Sequence, residues 1–503
     1  MSITGPGSIT AANVLAQNNM MTQLNTLGQE LASGQAAQTY SGLQSQAGVA
    51  LSLNAQLSAL TGYSNTATTV GTTLSVAQSV LTQLGTAGSS TVQAINQQGA
   101  FQLNNNGQTT TQATAAVQLD NILSLLNTQV GNNYIFSGSA PNQPSVASAS
   151  DILNGNGAQA GLTQVISERQ QADLGVSGLG HLSVAVGGVG SSTVTLSQDG
   201  TPFGFQLTGA DSSLTGATVT GPSGSPASIA VDLSSNPNPG DSIQFQLTLP
   251  DGSTQTISLQ ATTNSPPGAN QFTIGTLPSD TATNLQTALT TAITGLTQTA
   301  LPAASAMAAA NDFFGSNPPQ RVNGSPPDTS TALVNGTTAN TVFWYTGENG
   351  STPALQTATA QVGPTTTIDY GMRANEQALS TLVANVAVLA ATTYSASDPN
   401  AQANYQALSQ DVAANLDGQP GTQTVSDIEA DLANAQTTVS NAGTLNTQTQ
   451  STVQDMLQNI DGVNQNQIGE DILTLQNSLS ASMSVTARLA QLSLVNYLSP
   501  VTG

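Results

Sequence analysis

Apolar positions along the chain follow two rhythms. From residue 8 to about 130 they recur at helical spacing. Met20, Leu24, Leu27 and Leu31 are separated by alternating fours and threes, the period of a seam along one helix face. "SGQAAQTYSGLQ" breaks the run, with Gly34 and Gly42 bracketing Tyr40. A longer helix is predicted next, through Leu53, Leu57, Leu60, Ser64, Ala67, Gly71, Leu74, Gln78 and Leu81, and a third through Leu119, Ile122, Leu123 and Leu126. The C-terminal end mirrors this. Val425, Ile428, Leu432, Ala435, Val439, Ala442, Asn446, Thr449, Val453, Met456, Ile460 and Val463 keep the spacing, for a helix about 58 Å long. A last helix carries Ile472, Leu475, Leu479, Met483, Leu489 and Leu492 towards the stop signals Pro500 and Gly503. A further helical pattern over 375–416 runs through Leu379, Leu382, Val386 and Leu389 and breaks at Asp398-Pro399.

The middle of the chain alternates instead. Ile243, Phe245, Leu247 and Leu249 lead to a turn at Pro250-Asp251-Gly252, and Ile257 and Leu259 continue beyond it, a hairpin signature. Val194 and Leu196, then Phe203, Phe205 and Leu207, then Ile229, Val231 and Leu233 repeat the strand pattern. Residues 180–275 therefore read as an all-β insertion, followed by a short helix at "TATNLQTALTTAITGL". A mixed region over 318–371 contains Trp344, with strands expected at "TVFWYTGENG" and "TATAQV". Long helices with narrow apolar stripes do not stabilise themselves in water, so the two ends must pack on each other and, outermost, on other subunits. The expected fold class is α+β: a long antiparallel coiled-coil-like helical stem from both chain ends with an inserted β-rich outer domain. The expected divisions are an inner helix (1–45), the stem's first half (46–150), the β-rich domain (151–300), a mixed return region (301–372), the stem's second half (373–464) and a terminal inner helix (465–503).

Composition narrows the function classes. Charged residues make up 6% of the 503, against roughly 25% in an average globular protein, and Asn, Gln, Ser and Thr supply the polarity instead. The net charge is −22, with four Arg (Arg169, Arg321, Arg373, Arg488) and no Lys, which argues against binding nucleic acid or lying on an anionic membrane. There is no Cys, hence no disulfide and no thiolate chemistry. The N-terminus, "MSITGPGSITAANVLAQNNMM", lacks the basic and apolar regions of a cleaved signal peptide, and no apolar run is long enough to span a bilayer.

Candidate chemistry is sparse. His181 is the only histidine and has no Cys or His partner at ligand spacing, so it reads as a strand-edge residue and no metal or cofactor is expected. "GDSI" at Gly240–Ile243 resembles a hydrolase nucleophile block, but Asn238-Pro239-Gly240-Asp241 reads as a turn into the hairpin. The glycines of "GVSGLG" and "GGVG" open no helix and accompany no Lys, so they read as linkers rather than phosphate loops. Glu168-Arg169 and Arg373-Glu376 read as surface ion pairs at helix ends. No catalytic residue is expected.

"VGNNYIFSGSAPNQP" (130–144) closes the first helical region. A helical segment ending in such a block resembles the flagellin superfamily, most of all its hook-associated branch at the hook–filament junction; the matching residues are Tyr134, Phe136, Ser137 and Gly138. Upstream, Leu31, Ser33, Gly34, Tyr63 and Asn65 follow the superfamily's N-terminal pattern. "IDYGMRANEQALSTLVANVAVLA" is similar to its return from outer domain to stem, through Tyr370, Gly371, Ala374, Asn375 and Glu376, and Ser493, Leu494, Tyr497 and Leu498 are similar to its terminal helix. The likeness covers about 130 residues at each end. The chain departs from the pattern after Gly34, where it reads "QAAQTYSGLQSQAG". The resemblance implies a non-enzymatic structural subunit exported to the bacterial flagellum without signal cleavage. Its implied partners are further copies of itself, hook and filament proteins, an export chaperone and the flagellar export apparatus. Leu24, Leu27, Leu31, Leu475, Leu479, Leu489 and Leu494 are then the expected intersubunit packing residues. Filament flagellin is the neighbouring alternative, and a secreted adhesin or surface-layer protein the alternative from another class.

Overall fold

The computed structural model describes residues 6–37, 39–97 and 99–497. It is 53% helix and 16% strand, with a long N-terminal helix, a mixed α+β architecture. The helices are α1 (Pro6–Ser33), α2 (Ala47–Asn96), α3 (Thr110–Leu126), α4 (Ala149–Asn154), α5 (Leu162–Leu174), α6 (Pro278–Gln298), α7 (Ala300–Phe314), α8 (Gln377–Ala391), α9 (Ala401–Leu416), α10 (Val425–Asp461) and α11 (Gln465–Tyr497). A short antiparallel ribbon joins β1 (Gln129–Val130) to β2 (Asn133–Tyr134). Two four-stranded sheets follow, built from β3 (Leu182–Val186), β4 (Thr193–Gln198), β5 (Gln206–Ser212), β6 (Ala217–Ser223), β7 (Ser228–Leu233), β8 (Ser242–Thr248), β9 (Thr254–Thr262) and β10 (Gln271–Thr273).

The chain forms two units, and the divisions fall inside α2, at 71/72, and inside α10, at 437/438. The first unit comprises residues up to 71, 361–368 and from 438 on. In it α1 and α11 run antiparallel: Gln17 donates to Thr486 Oγ1 at 3.0 Å, while the Ala36 N–H reaches the Asp461 carbonyl at 2.7 Å near the opposite ends. The α1 seam is Gln17, Met20, Leu24 and Leu27, and the α11 seam is Ile472, Leu475, Leu479, Thr486 and Leu489, all only half-buried. Gly34 takes φ +70° just past α1, the left-handed close that lets the chain turn away from the helix. Leu53 and Leu60 of α2 pack with Val453 of α10, joined by Leu57, Tyr63, Leu457 and Ile460. Asn446 is buried there and donates to the Val362 carbonyl at 2.8 Å.

The second unit, residues 72–360 and 369–437, holds a conventional core. One sheet is ordered β3-β4-β7-β6, antiparallel throughout; the other is β10-β9-β8-β5, with β10 parallel to β9. The predicted hairpin forms, with Phe245 opposite Ile257 and Ile243 opposite Leu259. Gly252 in its turn has φ +89°. Alternate residues point inward, so Ile229, Val231, Phe245, Leu247 and Leu259 meet Leu285, Leu289 and Ile293 of α6 in one apolar cluster. Beside the sheets, α7 packs with α5, α8 and α9, and α3 with α8. Both α7 and α8 are buried along nearly their whole length.

Three sequence expectations change. Helix α5 falls in the stretch expected to be β-rich; it is a 13-residue helix bounded by Gly161 and Gly175, too short for its few apolar positions to show a period. Helix α7 falls in the expected mixed region; "ALPAASAMAAANDFF" is almost wholly apolar and almost wholly buried up to Ala310, with Asn311 and Asp312 only near its end, so no amphipathic rhythm betrays it. "TVFWYTGENG" forms no strand: residues around Trp344 are irregular and joined by single bridges such as Val146 to Tyr345.

Candidate functional site

The opening block (134–138) and the return block (370–376) lie far apart in sequence but meet within the second unit. The Gly138 N–H donates to the Met372 carbonyl at 3.0 Å and the Ala374 N–H to the Phe136 carbonyl at 2.8 Å, with Ser137 bridged antiparallel to Arg373 between them. The Phe136 side chain is fully buried beneath this pairing. Ser137 Oγ donates back to the Tyr134 carbonyl at 2.9 Å, closing the turn that follows β2. Gly138 adopts φ +64°, where a side chain would be strained. At Gly371 the constraint is space: a Cβ would lie 2.2 Å from Thr357 Oγ1 and 2.5 Å from the Ala354 carbonyl oxygen.

Arg373 is the centre of charge. Its Nη2 pairs with the Glu348 carboxylate and its Nη1 donates to the Gly350 carbonyl at 3.0 Å, the two ionic side chains being 9% and 22% exposed. The Glu348 N–H in turn donates to the Ser137 carbonyl, and the Tyr345 hydroxyl to the Glu348 carbonyl, both at 2.9 Å. Burial pushes the Tyr345 phenol up from its usual range. Glu376 precedes α8; its carboxylate accepts the Arg373 N–H at 3.2 Å and the Gln423 amide at 3.3 Å. Burial nevertheless outweighs those hydrogen bonds and raises the Glu376 carboxyl. Tyr134, Tyr370 and Asn375 are half-buried; the Tyr134 N–H donates to the Pro141 carbonyl and the Tyr370 N–H to the Ala358 carbonyl. The arrangement is a clasp: backbone bonds tie the two blocks, and the ion pair locks a third segment, 345–350, across them.

The expected ion pairs are corrected. Residues adjacent on a helix point in directions about 100° apart and do not face each other. Glu168 pairs with Arg321 instead, while Arg169 takes Asp173 at 2.8 Å and Asp312 at 2.7 Å. Arg373 takes Glu348 rather than the side chain of Glu376, and Arg169 and Arg373 are buried rather than on the surface. Burial pushes the Asp173 and Asp312 carboxyls up despite Arg169. Glu348 and Tyr345 escaped the sequence reading because one acid among 26 carries no signal, and Tyr345 sits in the segment read as strand.

His181 sits immediately before β3 at φ +64°, its Nδ1 against Asp199 and its Nε2 2.5 Å from the Ala172 carbonyl. Partial burial pushes Asp199 up, but hydrogen bonds from His181 and Thr201 outweigh it and hold the carboxyl below its usual range. Asp241 of the "GDSI" block accepts the backbone N–H groups of Thr215 and Asn238, both at 2.9 Å, and so braces the turn before β8.

Of the expected packing residues, Leu24, Leu27, Leu475, Leu479 and Leu489 are half-buried along the α1–α11 seam of a single chain, and Leu31 is 37% exposed. Leu494 lies on α11 and its side chain, like Leu498 as a whole, is outside the described residues. Other apolar side chains of the pair face outward, among them Leu15 at 63%, Met21 at 50%, Leu473 at 62% and Val485 at 52% exposed. No helix among the described residues is long and apolar enough to cross a membrane. No protein-family model matches the chain, and no curated protein matches it at a significant level.

Proposed function

We propose that the chain is a structural subunit of the bacterial flagellum, of the hook–filament junction type, that assembles outside the cell through its terminal helices. The observation that carries this reading is the α1–α11 pair. Its seam is half-buried within one chain, and Leu15, Met21, Leu473 and Val485 remain at least half-exposed on its outer faces. Two thin helices with apolar residues on both sides are suited to a coiled-coil-like layer completed by neighbouring copies. The 134–138 and 370–376 blocks support the reading, because a helical stem that opens into an insertion needs a fixed point where the chain leaves and returns. Hook and filament subunits are its partners, with delivery by an export chaperone and the flagellum's own export apparatus. The stem and outer domain are then the helical arms and the double-sheet region.

Immunogold electron microscopy on intact cells, with antibody against residues 180–275, tests this. A single band at the base of each filament supports the junction role. Label along the whole filament makes the chain a flagellin. Label over the cell body with none on flagella overturns the assignment in favour of an adhesin. In a second test, deletion of residues 465–503 abolishes assembly while Trp344 fluorescence still reports a folded second unit; normal filaments from that truncation would remove the role given to α11.

A further inference from the structure

An open cleft of about 570 Å³ lies in the second unit between the end of α2, the loop before α3, the start of α3 and α9. Its frame is stiff. Gln112 is fully buried and donates to the Thr392 carbonyl at 2.8 Å, Gln108 donates to the Ala390 carbonyl at 2.8 Å, and the Tyr394 N–H donates to the Gly107 carbonyl at 2.7 Å. Phe101 is half-buried and packs on Tyr405 with ring centroids 5.7 Å apart, giving the cleft an aromatic floor.

The walls are chemically distinctive. In a chain of net charge −22, no charged side chain is among the described residues that line this cleft. The lining polar groups are carboxamides and hydroxyls, among them Gln102, Gln402, Gln406 and Thr110. The side chains of these four make no hydrogen bond to the described residues, and the buried Tyr405 hydroxyl also has no partner there. Carboxamides and hydroxyls both donate and accept. Anionic ligands would find no cation, and cationic ones no carboxylate. An apolar ligand would strand the amides. What fits is a neutral molecule whose own groups both donate and accept and whose C–H faces stack on an aromatic ring. We propose that this cleft binds a neutral saccharide of one to two units, stacked on Phe101 and hydrogen-bonded by Gln402, Gln406, Gln102 and Thr110. The volume falls within the usual range for small-ligand sites. The proposal is independent of the flagellar reading and is tested on the unassembled full chain.

The experiment is saturation-transfer NMR and isothermal titration with maltose, cellobiose, mannobiose and N,N′-diacetylchitobiose, with a digalacturonate as charged control. One neutral disaccharide is expected to saturate with a Kd on the order of 0.1–1 mM. The Gln402→Ala/Gln406→Ala double variant, altered only at exposed side chains, is expected to bind at least tenfold more weakly while its thermal midpoint stays unchanged. Failure of every neutral sugar to saturate at several times that concentration overturns the proposal. So does equal binding of the uronate, or binding that the double variant leaves intact.

Discussion

The terminal helices and the double-sheet region bury apolar residues by different means. In the double-sheet region, Phe205 just before β5, Phe245 and Phe272 in the strands, and the α6 residues Leu285, Leu289 and Ile293 are all fully buried within a single chain. Along α1 and α11 the same apolar chemistry reaches only half-burial, with Leu473 and Leu15 more than 60% exposed. Full burial contributes about 1.5–3 kcal/mol for each large apolar side chain. A two-helix seam gains a fraction of that per residue while still restricting the backbone of every residue in it. One region completes its apolar burial within the chain; the other leaves much of its apolar surface exposed.

Substitutions that strike each region separately put this contrast at risk. Phe245→Ala removes a fully buried ring between the sheets and is expected to cost about 4 kcal/mol. Trp344, the only tryptophan, is buried in the same unit and donates to the Phe314 carbonyl at 3.1 Å, so urea unfolding followed by its fluorescence reads the loss. Arg373→Ala leaves Glu348 unpaired at the clasp and is expected to cost about 3 kcal/mol by the same measurement. An unchanged midpoint would mean that the clasp is held by its backbone bonds alone. Leu475→Ala at the half-buried seam is expected to cost about 1 kcal/mol locally. Hydrogen exchange should accelerate in α1 and α11 while the Trp344 transition stays where it was; a shared shift would show that the two regions unfold together.

A comparably small effect concerns pH. Burial, reinforced by the nearby Asp251, pushes the Asp411 carboxyl on α9 up to about 6. A carboxyl raised in the folded state binds its proton more tightly there than in the unfolded chain. Its protonated form therefore adds stability that is complete below pH 4, the unfolded range, and is lost as pH rises through 6. Solvent screening holds the effect to about 1 kcal/mol. Asp411→Asn should raise the pH 7 midpoint slightly and flatten its dependence between pH 4 and 6. A variant with the wild-type slope would reassign the pH dependence to another group, Glu376 being the first candidate.

Much of the local structure was legible because the relevant signals are themselves local. The seam through Met20, Leu24 and Leu27, the break at Gly34 and the hairpin at Pro250-Asp251-Gly252 all rest on spacing and turn chemistry within a few residues. Helix α7 was hidden for the opposite reason: its Ala-rich stretch has no polar face, and only the surrounding helices explain why it needs none. The candidate site was half legible. Tyr134, Phe136, Gly138, Gly371 and Glu376 could be singled out, but the third segment across them could not, because nothing near Glu348 in the sequence points to Arg373.

By itself, then, the sequence determined the periods: where helices run, where strands alternate, where glycine must turn the chain, and that four arginines and no lysine leave almost no free cation. Tertiary structure alone decided which acid each arginine meets, why Gly371 tolerates no side chain, and how an uncharged cleft forms from α2, α3 and α9. The reason is range. Propensity and period act over a few residues along the chain. Ion pairs, close approaches and clefts are set by residues that only the folded chain brings together, and no spacing records them.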